Sequence, residues 1–290
     1  MNTAIALSVI IPTLNEAEWI GATLQSLLVQ CNQVGACEVI VVDTGSIDAT
    51  CQIVAGFPVT LLRVTQRSPY VARNLGVQRS AGERLVFLDA RCLPHSDWLK
   101  ALFDSALVPG HDYVAGRTET RVVFSSLGSR LLAHRLSPEF LHQCALAGNV
   151  AAGNMLVHRR VFDTVGCFSE VRSGSDIQFS ERAVSAGFPT AYAHLAVVEL
   201  QCALSTWGYL GRRFRILRGQ ARHAESGPSV LRRFVGVPWR PGWREAVRLA
   251  PMLKASKLSA LAFLWAERWA NYAGALVGSF ELLRRTGKPK

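Results

Sequence analysis

The chain has 290 residues, 49% of them apolar, and a formal net charge of +11. That length suits one large α/β domain with an extension, or two small domains, and the apolar share excludes a wholly disordered chain. Seven cysteines with no Cys-x-x-Cys pair argue against a disulfide framework and fit a reducing cytoplasm.

Met1 to Leu7 has no basic stretch, and Leu7 to Ile11 is too short for the core of a signal peptide. Ser8-Val9-Ile10-Ile11-Pro12 predicts a buried strand stopped by proline. Ile20, Leu24, Leu27 and Leu28 have helical spacing within 16–30. Glu38 to Asp43 predicts a second strand, 48–55 a short helix, 59–64 a third strand and 70–80 a helix. Arg84 to Asp89 predicts a fourth strand. This alternation predicts an α/β fold with a mostly parallel sheet covered on both faces and right-handed crossovers.

Helices are further predicted over 99–107, 160–165 and 175–186, with strands beginning at Tyr113 and covering 151–158; 125–146 is helical or irregular. A basic helix over 205–223 and a Pro/Gly/Arg linker over 226–241 precede a last helix over 258–283. That helix carries Leu258, Leu261, Trp265, Trp269, Tyr272, Leu276, Phe280 and Leu283 on one stripe. Glu267, Arg268 and Asn271 at its centre argue against a membrane span.

Residues 203–290 hold 17 Lys/Arg against 4 Asp/Glu, a balance of +13, whereas 1–202 hold 15 against 17, a balance of −2. A nucleic-acid patch is one explanation, but backbone binding needs a continuous basic track and the first two-thirds is not basic. Arg beside Trp207, Trp239, Trp243, Trp265 and Trp269 on amphipathic elements better suits an anionic membrane surface.

Two predicted strands end in carboxylates, Asp43 and Asp89. Ligands of open α/β sheets gather outside the carboxyl ends of the strands. Asp43 can accept hydrogen bonds from a base or ribose in the polar turn Asp43-Thr44-Gly45-Ser46, or the turn is an ordinary loop with Asp48 as helix cap. Arg67 and Arg73, the latter beside Asn74, can pair a diphosphate, or form surface ion pairs. Asp176, at a predicted helix start, is either a cap or the general base that takes a proton from an acceptor hydroxyl.

The order of these motifs resembles the family 2 glycosyltransferases of the GT-A fold. The resemblance runs through Ser8–Glu16, Val41–Asp48, Ala72–Gly76, Ala81-Gly82-Glu83, Phe87–Arg91, Ala152–Met155, Gly174-Ser175-Asp176 and Ala186-Gly187-Phe188. It covers about two-thirds of the chain, taken here as a 1–202 catalytic domain with a nucleotide-sugar half (1–110) and an acceptor half (111–202). Residues 203–290 form a basic helical extension. The resemblance implies a nucleotide-diphospho-sugar donor, most often UDP-linked. It implies that Pro12, Thr13, Glu16 and Asp43 lie near the nucleoside, Arg73 near the base or phosphates, and Asp89 at the ribose or a metal; Ser46, Arg67, Asn74 and Arg91 are further candidate donor contacts. It implies Asp176 as the base, and Gly153, Asn154 and Ser175 are candidate acceptor contacts. If the site holds a divalent cation, Mg²⁺ or Mn²⁺, Asp89 is its implied ligand; otherwise Asp89 meets the ribose.

Two positions depart from the family pattern. The second Asp of Asp-x-Asp is Arg91, and a His of the family falls at Leu200. Both types help hold a metal in similar enzymes, so Arg91 raises either an Arg in place of the metal or a non-catalytic nucleotide-sugar-binding homologue. The chain lacks the Gln-x-x-Arg-Trp pattern of processive synthases; Arg212-Arg213-Phe214-Arg215 is only a loose echo. The expectation is an inverting, single-sugar transferase acting on a hydroxyl acceptor in lipid-linked or cell-surface glycan assembly, peripheral at the inner membrane face.

Overall fold

The computed structural model describes residues 6–171, 173–222 and 242–286, with backbone alone at 222 and 282–286. The linker expected over 226–241, with Trp239, lies outside the described residues, as do Met1 to Ile5 and the side chain of Leu283. Two compact units emerge: Met1–Arg121 with Leu136–Gln201, and Val122–Arg135 with Cys202–Lys290.

The first unit begins with β1 (Leu7–Thr13), α1 (Ile20–Cys31), β2 (Cys37–Asp43), α2 (Thr50–Val54), β3 (Thr60–Arg63), α3 (Pro69–Arg79) and β4 (Arg84–Leu88). It continues through β5 (Cys92–Pro94), α4 (Trp98–Ala106) and β6 (Tyr113–Val122), then α6 (Pro138–Leu146), β7 (Asn154–His158), α7 (Arg159–Val165), α8 (Ser175–Ser185) and β8 (Thr190–Cys202). The sheet order is β3-β2-β1-β4-β7-β6-β8-β5. β3, β2, β1 and β4 are parallel, as the alternating helices require. From β4 outward the pairings of β7 with β4 and β6, and of β5 with β8, are antiparallel. The parallel half is thus the part whose βαβ rhythm is visible in sequence. β5, only three residues long, and β8, where half-buried residues alternate irregularly, carry weaker patterns.

Successive strand side chains point to opposite faces. Val9 and Ile11 of β1 and Val86 and Leu88 of β4 therefore pack with Ile20, Leu24 and Leu27 of α1 and Trp98, Leu99 and Leu102 of α4. Ile10, Leu85 and Phe87 face the other way, toward Val77, Met155, Phe162, Phe168 and Phe179. Burying each such side chain contributes about 1.5–3 kcal/mol. α3 lies so close to β1 that a Cβ on Gly76 would sit 2.4 Å from Ile10 Cγ2, which only glycine avoids.

The second unit contains α5 (Leu127–Arg135), α9 (Thr206–Arg222), α10 (Trp243–Leu249) and α11 (Lys257–Thr286). A Cβ on Gly274 would stand 2.3 Å from the Phe214 carbonyl oxygen, and one on Gly278 2.3 Å from that of Arg218. These ascending pairs make α9 and α11 run side by side in one direction, backbone against backbone. The face α11 buries there is Ala260, Phe263, Leu264, Glu267, Gly274, Ala275, Gly278 and Ser279. The stripe of large apolar residues lies elsewhere: Leu258, Trp265, Leu276 and Phe280 are exposed, and Leu261, Trp269 and Tyr272 half-buried. The buried Glu267 carboxylate accepts from Arg135 and from the Tyr209 hydroxyl (2.6 Å), and Arg213 lies 3.4 Å away. Arg268 pairs with Glu245, and Arg213 donates to Asn271. No helix among the described residues is long and apolar enough to cross a membrane.

Candidate active site

Parallel register brings the carboxyl ends of β1, β2 and β4 to one edge. Thr13 is the Cα partner of Asp43, and Ile10 that of Phe87, so Asp89 emerges next to the end of β1 at Pro12 and Thr13. Asp43 is buried and accepts from the N–H groups of Gly45 and Ser46 (3.0 Å each), from the Ser46 hydroxyl, and from Thr13 Oγ1 (3.3 Å). Burial pushes its carboxyl up, but the hydrogen bonds from Ser46 and Gly45 outweigh this and hold it below the usual carboxylate range. Asn15, left-handed at φ 55°, ties the two loops: its N–H donates to Ser46 Oγ, and its Oδ1 accepts from the Ile47 N–H. Asn tolerates that region better than most residues.

Four charges follow. Arg73, buried on α3, donates to Asp89 Oδ1 at 2.6 Å. Arg91 donates to Glu16 Oε1 at 2.5 Å. Burial, with Asp89 and Asp48 nearby, outweighs Arg91 and raises the Glu16 carboxyl. Asp89 is also fixed by its N–H, which donates to the Gly153 carbonyl at 3.1 Å. A Cβ on Gly153 would come within 2.8 Å of Asp89 Oδ2, so glycine there leaves room for the carboxylate.

Asp176 lies in the first turn of α8, but the residue capping that helix is Gly174 (φ 85°), with no side-chain cap. The Asp176 carboxylate accepts from the Tyr70 hydroxyl (2.8 Å), the Ala152 N–H (3.4 Å) and the adjacent Ile177 N–H (3.1 Å). Burial first, then the Asp176 charge, pushes the Tyr70 hydroxyl above its ordinary range, so it stays protonated and donates. The Arg73 guanidinium lies 5.4 Å from the Tyr70 ring centre. A continuous chain of contacts thus runs Asp89–Arg73–Tyr70–Asp176, while the adjacent residues Gly153 and Ala152 touch its two ends. Ser175 Oγ and Arg73 Nε are buried there without a hydrogen-bond partner.

The remaining expected residues divide. Arg67 is exposed, its Nε 4.0 Å from where a Cβ on Gly45 would lie. Asn74 spends its amide on the Phe168 backbone, donating to the carbonyl and accepting from the N–H. Asn154 is buried, accepting from Trp98 Nε1 and donating to the carbonyls of Arg117 and Ala196. Both amides brace the fold. Tyr70 and Asn15 escaped the sequence reading. Asn15 in Leu14-Asn15-Glu16 had a local cue for a left-handed turn; Tyr70 had none, because its partner is 106 residues away.

Residues 8–166 match the family described as Glycosyl transferase family 2. The chain belongs to this family and is a glycosyltransferase. Glycosyltransferase AglE of Haloferax volcanii is 31% identical over 220 residues, covering 73% of this chain and 72% of AglE. Among solved structures, the Pyrobaculum calidifontis mannosyltransferase PcManGT, in complex with GDP-Man and Mn²⁺, superposes with a TM-score of 0.59 at 20% identity, covering 99% of this chain and 77% of that one. S. aureus TarS residues 1–349 in complex with UDP superposes with a TM-score of 0.55 at 17% identity, covering 98% and 92%. The fold is therefore GT-A.

Proposed function

We propose that this glycosyltransferase moves a single sugar from a nucleotide-diphospho-sugar, UDP-linked, to a hydroxyl acceptor with inversion. The observation that carries this reading is the contact chain from Asp89 to Asp176. It joins a strand-end carboxylate suited to the donor with a half-buried carboxylate suited to deprotonating an acceptor. Tyr70 orients Asp176, and Gly153 leaves Asp89 its place. The nucleoside lies against Asp43, Thr13 and the Ser46 turn, with Arg67 at its outer side. The acceptor approaches past Gly153 and Ser175. The UDP linkage is in keeping with the UDP and UDP-GlcNAc complexes of TarS, and glycans of cell envelopes or lipid carriers are the proposed product class.

The extension is proposed to rest on an anionic membrane surface. Exposed Trp207, Trp243 and Trp265 accompany exposed Arg215, Arg244, Arg248, Lys254 and Lys257 in the second unit. Aromatic rings and cations on one amphipathic unit suit the headgroup layer. A thermal-shift panel of UDP- and GDP-linked sugars tests the donor, since a ligand stabilises the state it binds. Stabilisation by UDP-sugars supports the reading; stabilisation by GDP-mannose alone overturns the UDP assignment.

A further inference from the structure

The family resemblance implies a divalent cation beside Asp89, and the PcManGT structure contains Mn²⁺. The donor edge of this chain does not fit such an ion. Mg²⁺ and Mn²⁺ take oxygen ligands and usually share one or two carboxylates with substrate phosphates. Here one oxygen of each candidate carboxylate is already committed, Asp89 to Arg73 and Glu16 to Arg91. Each of these two carboxylates already faces a guanidinium, which offsets its attraction for a dication. Among the described residues, no group of three or more His, Cys, Asp and Glu is placed to hold a metal. Leu200, where the family pattern has a His, stands opposite Cys92 in the β5–β8 ladder and brings no ligand. Of these two carboxylates, Glu16 keeps one buried oxygen, Oε2, without a partner, and a single such atom is a poor cage.

The two cations differ in reach. The Arg73 side chain is 5% exposed and sealed against Asp89; the Arg91 side chain is 38% exposed and anchored by Glu16. An accessible guanidinium on a fixed carboxylate is preorganised for phosphate oxygens. We propose that Arg91 is the cation that receives the leaving diphosphate, and that this enzyme transfers its sugar without a divalent ion. The inference rests on the nucleotide-sugar reading above. In the step, the acceptor oxygen bonds to the anomeric carbon and its proton passes to Asp176. The bond from that carbon to the diphosphate oxygen breaks, and the electron pair leaves with the diphosphate. Arg91 faces the charge that develops there. Glu16 is a positioning residue acting through Arg91.

The test is calorimetric binding of UDP and of GDP to the whole chain, in EDTA and in Mn²⁺. Wild-type affinity should agree within about twofold between the two conditions, because no ligand set recruits the ion. Arg91→Ala should weaken binding about tenfold in EDTA, the loss of one charge-assisted contact. Arg91→Asp should bind weakly in EDTA and regain affinity on addition of Mn²⁺. Glu16→Gln should weaken binding less than Arg91→Ala does. Thermal unfolding of each variant checks that it folds; if one does not, the wild-type comparison decides alone. Wild-type binding that needs Mn²⁺, or Arg91→Ala binding as tightly as wild type in EDTA, overturns the inference and leaves the nucleotide-sugar reading standing. Failure of both nucleotides to bind under either condition overturns the UDP reading and this inference with it.

Discussion

The two units of this chain differ in how hydropathy and burial agree. In the first, apolar strand residues such as Ile10, Val41 and Phe87 are inside, and the charges stand at the strand ends in pairs. In the second, a carboxylate is inside with Leu217, Phe263 and Leu264, while several large apolar residues are outside: Glu267 is 2% exposed, Leu258 71%. The sheet's spacing leaves room for branched side chains, so hydropathy and burial coincide. Where two helices touch backbone to backbone, at Gly274 and Gly278, only small residues fit, so there hydropathy and burial part. Glu267 is tolerated because Arg135, Tyr209 and Arg213 converge on it, and an ion is buried at bearable cost only when paired and hydrogen-bonded.

Damage to the second unit should therefore appear as lost stability, and damage to the strand ends as lost chemistry. The largest effect is expected from Glu267→Ala, which leaves guanidinium groups facing an empty space. It should cost about 3 kcal/mol, the lower end for breaking a buried pair, since Arg135 and Arg213 are partly solvated. Urea unfolding measures it; a loss under about 1 kcal/mol would make Glu267 an ordinary surface residue.

Asp176→Asn preserves shape and removes basicity. Turnover should fall roughly a hundredfold or more while donor affinity stays near wild type. Tyr70→Phe should lower turnover less, through the lost orienting hydrogen bond. Full turnover in Asp176→Asn would leave the Tyr70–Asp176 contact a purely structural one.

Asp43→Ala should weaken nucleotide binding by about 1–3 kcal/mol, measured by calorimetry. The same side chain makes a pH prediction. A carboxyl whose folded pKa is depressed contributes stability above its unfolded pKa, near 3.8, and loses that contribution as pH falls through the folded value. Acid unfolding of Asp43→Ala should therefore be less steep than that of wild type below about pH 4. Identical acid limbs would mean the Ser46 and Gly45 hydrogen bonds contribute nothing to folding.

The smallest effect on stability is expected from Trp265→Ala on the exposed face of α11, within about 0.5 kcal/mol. Its effect should appear elsewhere, as weaker sedimentation with anionic vesicles. Wild-type vesicle binding should also weaken with added salt, because screening shortens the reach of each charge. Equal binding to neutral and anionic vesicles would remove the electrostatic part of the membrane proposal.

Local pattern alone determined a good deal. Apolar runs closed by Asp43 and Asp89 place both carboxylates at strand ends, because strand direction and the parallel βαβ rhythm follow from short-range spacing. The motif order was enough for the family. Tertiary structure decided the partners: Arg73 for Asp89, Arg91 for Glu16, Tyr70 for Asp176, with Asn74 and Asn154 turned into the fold as braces. Such choices depend on register between segments up to 106 residues apart, which no local periodicity encodes. It also decided which side of α11 is inside. Eight apolar residues on one stripe mark an amphipathic helix, but the close approach of α9 at two glycines turned the face bearing Gly274 and Gly278 inward and left much of that stripe in solvent.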